Sequence, residues 1–437
     1  MSSKTKFFIH TTGCKANQWD SYLIANRLKE TGFIPCPMPR ADFIIINACT
    51  LTEGAERDLR RFINRASSTN KGARVILAGC HAQVYPDQAF GADLVLGQDE
   101  KFRVDEFLAM DGLFVRKTRS IPMESMLING LPRGRTRIFL KIQDGCDQFC
   151  AYCIVPFARG KSRSRTSEEI IRAMKIFSER GIKEVVLTGI ELSAYKDPVT
   201  GTDLKGLLQT LEHEETPPRI RISSIDPVYL DDECIRTIAS STKIMKSLHI
   251  PVQSGSDDIL KKMGRHYTKE YIGDLVKKLN NMLHGVGIGM DVMVGFPTED
   301  ESNFTETYRF LDSLDIYYLH VFPFSARKGT KAATMEDTVK NSVKKERVGV
   351  LRRLDSVKRR RFHERFIGQT ACILAEGKVY RNNYMRGYTE NYIPVCIPYE
   401  KSLENNLVNV TIKEIGDNLV IGEPVKSCDD HFLSRQL

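Results

Sequence analysis

Short apolar runs rich in β-branched residues recur along most of the chain, and a stretch of helical periodicity follows each of them. That alternation restricts the fold more than any other feature. The first three runs cover residues 7–10, 43–46 and 75–79, with helical patterns at 20–31 and 55–67 between them. A short continuous apolar run suits a strand buried on both faces, and strand–helix–strand alternation predicts a doubly wound parallel sheet. In such a sheet the carboxyl ends of the strands share one edge, where ligands bind. Cys14, Cys49 and Cys80 each follow one of the runs, so thiols 35 and 31 residues apart in sequence come to one edge. Either they ligate a metal cluster together, or they are ordinary buried cysteines, a common setting for a free thiol.

Residues 116–135, with Pro122, Gly130, Pro132 and Gly134, read as a linker. Beyond it, strand candidates at 137–142, 184–188, 219–223, 247–252, 288–294 and 317–322 alternate with helices. Six such units predict an open partial barrel rather than the closed eight-stranded form. Directly after the first of these strands stands Cys146-Asp147-Gln148-Phe149-Cys150-Ala151-Tyr152-Cys153. Three thiolates so close together can hold three irons of a cubane and leave the fourth open to a small molecule. A cluster that only carries electrons takes four cysteines. Zinc is the structural alternative, but zinc sites usually pair two Cys-x-x-Cys knuckles, and the sequence has no second one.

Residues 340–365 are helical in pattern and strongly basic. Val348, Leu351, Leu354 and Val357 recur every three residues among Arg352, Arg353, Lys358, Arg359, Arg360 and Arg361. Such a helix either closes the barrel with a solvated face or contacts phosphates at a domain junction. After about residue 368 the pattern changes to short strands at 371–374, 392–396, 407–412 and 419–421. Turn signals at Gly377-Lys378, Asn382-Asn383 and Gly416-Asp417-Asn418 separate them, which predicts a small β-barrel of a type that commonly binds RNA. The 64 basic and 55 acidic side chains leave a net charge of +9, compatible with a polyanionic partner without demonstrating one. No apolar run reaches the ~18 residues of a membrane span. Eleven cysteines behind an N-terminus with no apolar signal core point to ligation in a reducing cytoplasm rather than to disulfides.

The spacing of Cys146, Cys150 and Cys153 resembles the radical S-adenosylmethionine (SAM) signature. Supporting blocks are Thr12-Gly13-Cys14-Lys15-Ala16-Asn17, Asn47-Ala48-Cys49-Thr50, residues 144–165, Arg221-Ile222-Ser223-Ser224, residues 249–256 and residues 291–299. On these the chain is identified as a member of the radical SAM methylthiotransferase family. The resemblance implies an α/β fold in three parts. They are an N-terminal doubly wound domain (residues 1–125), a central radical SAM partial (βα)6 barrel (132–366) and a small C-terminal TRAM-like β-barrel that binds RNA (367–437). It also implies two 4Fe–4S clusters, one on Cys146, Cys150 and Cys153 and an auxiliary one on Cys14, Cys49 and Cys80. Reductive cleavage of SAM at the first yields a radical that takes hydrogen from C2 of an adenine. Sulfur held at the second is then inserted, and a second SAM supplies the methyl group.

Residues 149–160 and Gly387-Tyr388-Thr389-Glu390-Asn391-Tyr392-Ile393-Pro394-Val395 resemble the branch acting on N6-threonylcarbamoyladenosine (t6A), at position 37 beside the tRNA anticodon. Alternatives within the family are N6-isopentenyladenosine in tRNA and an aspartate of a ribosomal protein. Outside it stands a non-catalytic iron–sulfur protein that binds RNA or relays electrons. The implied partners are the anticodon stem-loop, SAM, a one-electron reductant such as a flavodoxin or ferredoxin, and a sulfur donor, in the cytoplasm and without a membrane. For SAM, Tyr152 stands where the family places a ring beside the adenine. Ser223, Ser224, Gln253 and Ser254 lie at strand ends, and Gly295 opens space; each can equally serve a cap or turn. Thr188-Gly189 replaces an acidic turn common among radical SAM enzymes. Arg159, Arg163 and Arg165 pair the SAM carboxylate or RNA phosphates, or else form salt bridges within the barrel. Cys36, Cys234, Cys372, Cys396 and Cys428 read as structural, and His81 as a bystander.

Overall fold

Strands β1 (Lys6–Thr11), β2 (Ile34–Pro35), β3 (Phe43–Ala48), β4 (Arg74–Gly79), β5 (Leu94–Leu96) and β6 (Gly112–Phe114) form one parallel sheet in the order β2-β1-β3-β4-β5-β6. This computed structural model describes residues 5–50, 52–118, 123–126, 128, 136–336, 338–380, 383–416 and 419–425. Helices α1 (Lys15–Glu30), α2 (Glu53–Thr69), α3 (Cys80–Val84) and α4 (Val104–Phe107) complete the N-terminal part. Alternate strand residues point to opposite faces. Ile44 and Ile46 therefore meet Leu59, Phe62 and Ile63 of α2, whereas Ile45 meets Ile24 and Leu28 of α1. Both faces are covered, which is why the strands read as unbroken apolar runs. Helix α1 begins at Lys15, five residues before the periodicity suggests, because its first turn is polar and carries no apolar stripe.

The central part runs β7 (Ile138–Lys141), β8 (Gln143–Asp144), α5 (Val155–Arg159), β9 (Arg163–Ser164), α6 (Ser167–Glu179), β10 (Glu184–Thr188) and α7 (Leu204–His213). It continues through β11 (Arg219–Ile222), α8 (Asp232–Ser240), β12 (Ser247–Gln253), α9 (Asp257–Met263), α10 (Lys269–Met282), β13 (Gly287–Val294), α11 (Glu301–Ser313), β14 (Tyr318–Pro323) and α12 (Asn341–Glu364). All six expected barrel strands are present, as two parallel triplets, β7-β10-β11 and β12-β13-β14. Between the triplets lies a thin seam, bridged at Ile220–Ile244 and Ser224–His249. The antiparallel pair β8–β9 brackets the cysteine loop. On α12, Val348, Leu351 and Leu354 are buried as the pattern predicts. Val357 is exposed instead, and Phe362 takes the contact, stacked on Tyr317 at 4.4 Å. No described helix is long and apolar enough to cross a membrane.

The last part is a closed barrel, β15-β16-β17-β19-β18, built from β15 (Thr370–Tyr380), β16 (Tyr384–Tyr388), β17 (Pro394–Pro398), β18 (Leu407–Ile415) and β19 (Val420–Pro424). The sequence pattern yields four strands and misses β16, whose Tyr-Met-Arg-Gly-Tyr has no apolar alternation. Tyr392, expected in a strand, instead occupies the turn before β17 with φ of 71°. Asn382, Asp417 and Asn418 from the turn signals, Pro122, Gly130, Pro132 and Gly134 from the linker, and Cys428 lie outside the described residues.

The tail loop of this barrel docks beneath the partial barrel. Arg219 Nη1 and Nη2 donate to the carbonyls of Tyr388 (2.9 Å) and Cys372 (2.6 Å). Arg221 Nη1 and Nη2 donate to those of Glu390 (2.9 Å) and Thr389 (2.6 Å). Arg221 also lies over the Tyr392 ring and Arg137 over the Tyr388 ring. The N-terminal part spans the open side of the partial barrel. It touches β7 through Asp20 and Lys141, and the segment after β14 through Glu53 N–H donating to Ser325 Oγ (3.2 Å) and an Arg327–Glu56 ion pair.

Candidate active site

The order β2-β1-β3 reverses direction at β1, and at that switch the strand ends diverge to leave a crevice. Cys14 caps the N-terminus of α1 just beyond β1, Cys49 follows β3, and Cys80 opens α3 after β4. Gly13 makes the first two meet. Its φ is +93°, and a Cβ there would fall 2.9 Å from Cys49 Sγ. The loops are tied by Asn17 Nδ2, which donates to the Thr12 (2.8 Å) and Asn47 (3.1 Å) carbonyls, and by Cys49 N–H, which donates to Thr12 Oγ1 (2.9 Å). Cys80 Sγ accepts from Gln98 Nε2 at 3.0 Å. Cys14 is within electrostatic reach of Cys80 and Arg159, and burial pushes its thiol pKa up. The sheet therefore gathers Cys14, Cys49 and Cys80 at one edge.

Cys146, Cys150 and Cys153 lie at the mouth of the partial barrel, on the loop after β8. Gly145 starts this loop with φ of +75°, and a Cβ would sit 2.0 Å from the Lys161 carbonyl. The loop is pinned by Ala151 N–H donating to Met263 O (2.9 Å) and Ala332 N–H donating to Ala151 O (2.7 Å). Burial raises the thiols of Cys146 and Cys153 to about 12. Arg265, unmarked in the sequence reading, donates from Nη1 to Cys150 Sγ (3.4 Å) and from Nη2 to Asp226 (2.8 Å). Tyr152 packs against the cluster formed by Ala151, Met293 and Phe296.

Between the two cysteine sets runs a buried ionic chain. Asp20 of α1 receives Lys101 Nζ (2.6 Å), Lys141 Nζ and Arg159 Nη2 (3.0 Å). Asp144 receives Arg159 Nη1 (2.9 Å), Lys141 Nζ (2.8 Å) and Arg163 Nη2 (3.1 Å). Burial alone would raise the Asp144 carboxyl, yet Arg159, Lys141 and Arg163 hold it well below the usual carboxylate range. Arg165 is paired with Glu124. Arg159 and Arg165, each 1% exposed, are thus committed to protein partners and closed to RNA phosphates. His81 is buried with its Nε2 on the Gln88 carbonyl, consistent with a structural place.

The donor sets can be tested against what they would hold. In a tetrahedral zinc site with Zn–S near 2.3 Å, sulfurs sit roughly 3.8 Å apart. Among the described residues neither cysteine set brings all its sulfurs within 4.8 Å of one another, which does not match a closed tetrahedral zinc site. Ser223 Oγ and Gln253 Oε1 are buried at strand ends without a hydrogen-bond partner, and Gln253 has φ of 71°, so both are poised for a ligand. Ser224 is exposed in the seam. Two expectations change. Ser254 Oγ is taken by Thr307 Oγ1 (3.2 Å) and by Ser256 N–H (3.2 Å). The space at Gly295 is filled by the stem of Lys344, whose Cγ would lie 2.4 Å from an added Cβ. An acid does stand at the end of β10, two residues past Gly189. Glu191 is raised to about 7 by burial and then by Asp226, and its field reaches Cys146 and Cys153. Its sequence signal is Thr188-Gly189-Ile190-Glu191, with the acid two residues past Gly189.

Residues 140–311 match the Radical SAM superfamily, and residues 6–97 match the Uncharacterized protein family UPF0004. Threonylcarbamoyladenosine tRNA methylthiotransferase MtaB of Bacillus subtilis is 36% identical over 97% of this chain and 97% of its own length. Its Aquifex aeolicus counterpart is 36% identical over 89% of this chain and 97% of its own. The tRNA-2-methylthio-N(6)-dimethylallyladenosine synthase of Geobacillus kaustophilus is 32% identical over 97% and 83%. Among solved structures, TsrM of Kitasatospora setae, a radical SAM methyltransferase with cobalamin and a 4Fe–4S cluster bound, superposes with a TM-score of 0.52 at 15% identity. It covers 73% of this chain and 75% of that one, a likeness of fold.

Proposed function

The chain belongs to the radical SAM tRNA methylthiotransferases, and from that premise we infer that it converts t6A at position 37 of tRNA to 2-methylthio-t6A. One observation carries the reading: one set of three cysteines gathers at the carboxyl edge of the first sheet and a second set on the loop after β8, and the buried Arg159, within electrostatic reach of Cys14 and Cys80, ties Asp20 of the first part to Asp144 just before the second set. Two 4Fe–4S clusters and SAM supply, when bound, cleavage of the SAM carbon–sulfur bond, removal of hydrogen from adenine C2, and the sulfur and methyl that replace it. The protein's own residues position and exclude. Cys146, Cys150 and Cys153 would ligate the cluster that meets SAM, with Arg265 holding the Cys150 sulfur. Cys14, Cys49 and Cys80 would ligate the other. Ser223 and Gln253 offer the SAM ribose or carboxylate hydrogen bonds they lack within the chain, Tyr152 offers the adenine a ring, and Glu191 offers the ammonium a carboxylate.

Residues 1–125, 132–366 and 367–437 act as the cluster-bearing, radical and TRAM-like RNA-binding domains. Arg352, Arg353 and Arg361, exposed on α12 beside the barrel, suit phosphates of the anticodon stem. A flavodoxin- or ferredoxin-type reductant, a sulfur donor and a cytoplasmic setting complete the assignment.

Glu191 gives a pH dependence with a definite sign. A carboxylate pairs with the SAM ammonium only when ionised, so SAM affinity falls as pH drops below about 7, by up to about tenfold per unit. For folding of the unliganded chain the sign is the reverse. A raised carboxyl favours the folded state while protonated, so its contribution is lost as pH rises from 4.5 through about 7. Equilibrium dialysis with labelled SAM should show wild type losing affinity between pH 8 and 6, and Glu191→Gln weak and flat across that range. A wild-type profile without slope removes Glu191 from the SAM site.

The function itself is tested by incubating reduced, anaerobically reconstituted protein with SAM and anticodon stem-loops carrying t6A or isopentenyladenosine. Digested nucleosides are read by mass spectrometry. The methylthio group is expected on t6A alone; its appearance on isopentenyladenosine alone would overturn the substrate assignment and keep the chemistry.

A further inference from the structure

Alternation along the second strand triplet separates two faces. Leu248, Ile250 and Val252 of β12, Ile288, Met290 and Val292 of β13, and Leu319 and Val321 of β14 share one core with the helices. His249, Gly289, Asp291, Tyr318 and His320 therefore stand on the opposite face. The register completes the grouping: Gly289 lies between His249 and Tyr318, and Asp291 lies directly beside His320.

On that face His249 Nε2 and His320 Nδ1 converge on one oxygen, Asp291 Oδ1, at 3.0 and 2.8 Å. One donor atom from each of the three residues lies within 4.8 Å of the other two. Two atoms that bind an ion at about 2.1 Å, at right angles to each other, are about 3.0 Å apart. The two measured edges therefore suit neighbouring corners of a six-coordinate ion without rearrangement. A tetrahedral ion would need them to open to about 3.4 Å. Two imidazoles and one carboxylate suit a first-row transition metal, whereas magnesium and calcium take oxygen ligands.

The group is braced by a neighbour on the same face. Tyr318 Oη lies 2.9 Å from His249 Nδ1, and its ring crosses Gly289 so closely that an added Cβ would fall 2.0 Å from Cζ. Metal-binding imidazoles are held in this way through their second nitrogen. The Tyr318 hydroxyl serves with or without an ion. It donates to Nδ1 when Nε2–H faces Asp291, and it accepts from Nδ1–H when Nε2 holds the metal. Arg359, 4.7 Å over the Tyr318 ring, has its charge met by Asp355, whose two oxygens accept from Nε at 2.9 Å each. The His320 side chain is 69% exposed, which gives an ion a way in from solvent.

We propose that His249, Asp291 and His320 form a binding site for one divalent first-row transition-metal ion of the Fe2+, Mn2+ or Co2+ type. The site is built without any of the six cysteines, and it is independent of which adenosine the enzyme modifies. Three protein donors occupy half of an octahedral shell, and the other positions take water or another oxygen ligand.

The test uses the full-length protein with its clusters reconstituted, dialysed to equilibrium against Co2+. Cobalt is the probe because elemental mass spectrometry counts it apart from cluster iron. Wild type is expected to hold one more cobalt per chain than His320→Ala or Asp291→Asn. Tyr318→Phe should keep the site with its affinity lowered about 10- to 100-fold. Iron per chain and circular dichroism monitor the fold, and the exposed His320 is removed without opening a cavity. Equal cobalt in wild type and His320→Ala would overturn the proposal by placing the metal on other groups. A wild type that retains no cobalt would overturn it as well, and would leave the three residues as a hydrogen-bonded brace across β12, β13 and β14.

Discussion

Cys150→Ala is expected to abolish SAM cleavage, and Cys49→Ala is expected to leave cleavage in place while stopping sulfur insertion. The two residues sit in different parts of the fold: Cys150 on the loop at the mouth of the partial barrel, Cys49 just past the end of β3. Each set has three thiols to give, so losing one leaves two, too few to hold a cubane with one open iron. Iron should therefore fall from about eight to about four per chain in either variant. The functions lost are distinct. Acid–base side chains cannot break the carbon–sulfur bond or activate an adenine C–H without the first cluster, so 5′-deoxyadenosine should fall to background. Without the second, 5′-deoxyadenosine still forms and 2-methylthio-t6A does not. Chromatography of the nucleosides decides the matter; a Cys49→Ala protein that methylthiolates normally would end the division of labour between the clusters.

The second large effect concerns stability. Arg159→Met removes the guanidinium that Asp20 and Asp144 share across the domain boundary, and leaves both carboxylates short of a partner in a buried site. Breaking a buried ion pair on one side typically destabilises by about 3–5 kcal/mol, because the remaining charge stays desolvated. Lys101 and Lys141 still reach Asp20, which places the expected loss in the lower part of that range. A multidomain chain has no single unfolding free energy, so hydrogen exchange of α1 and of the Cys146 loop is the suitable measurement. Both regions should lose protection together. Adding Asp20→Asn should restore part of it, since it relieves the stranded charge. Arg353→Met, exposed on α12, should leave this protection unchanged.

The barrel strands were legible because each is β-branched, apolar and buried on at least one full face; all six candidates agree with the structure within a residue or two. Strand β16 was not, since Arg386 and Gly387 interrupt its alternation and its burial comes only from closure of the small barrel. The cysteine sets were legible from their placement at strand ends. The ionic chain between them was not: Asp20 pairs with groups 81, 121 and 139 residues away, and only the fold brings them together. Gly295 misled for the same reason. Its open side is a property of the strand end, but Lys344 arrives from α12 to fill it. Arg159, Arg163 and Arg165 looked available because their segment is basic, whereas their carboxylates come from α1, β8 and Glu124.

Arg219 and Arg221 have two duties at once. They stand beside Glu184 within the partial barrel, and they are the hooks on which the small barrel hangs through the carbonyls of Cys372 on β15 and of Tyr388, Thr389 and Glu390. The small barrel is thus no detachable accessory. A truncated chain ending after α12 would keep all six candidate ligand cysteines and lose these carbonyls, leaving two otherwise buried guanidiniums without their partners. Exchanging modules between relatives meets the same constraint: the junction to preserve is the loop from Tyr388 to Tyr392 together with the chain connection after α12.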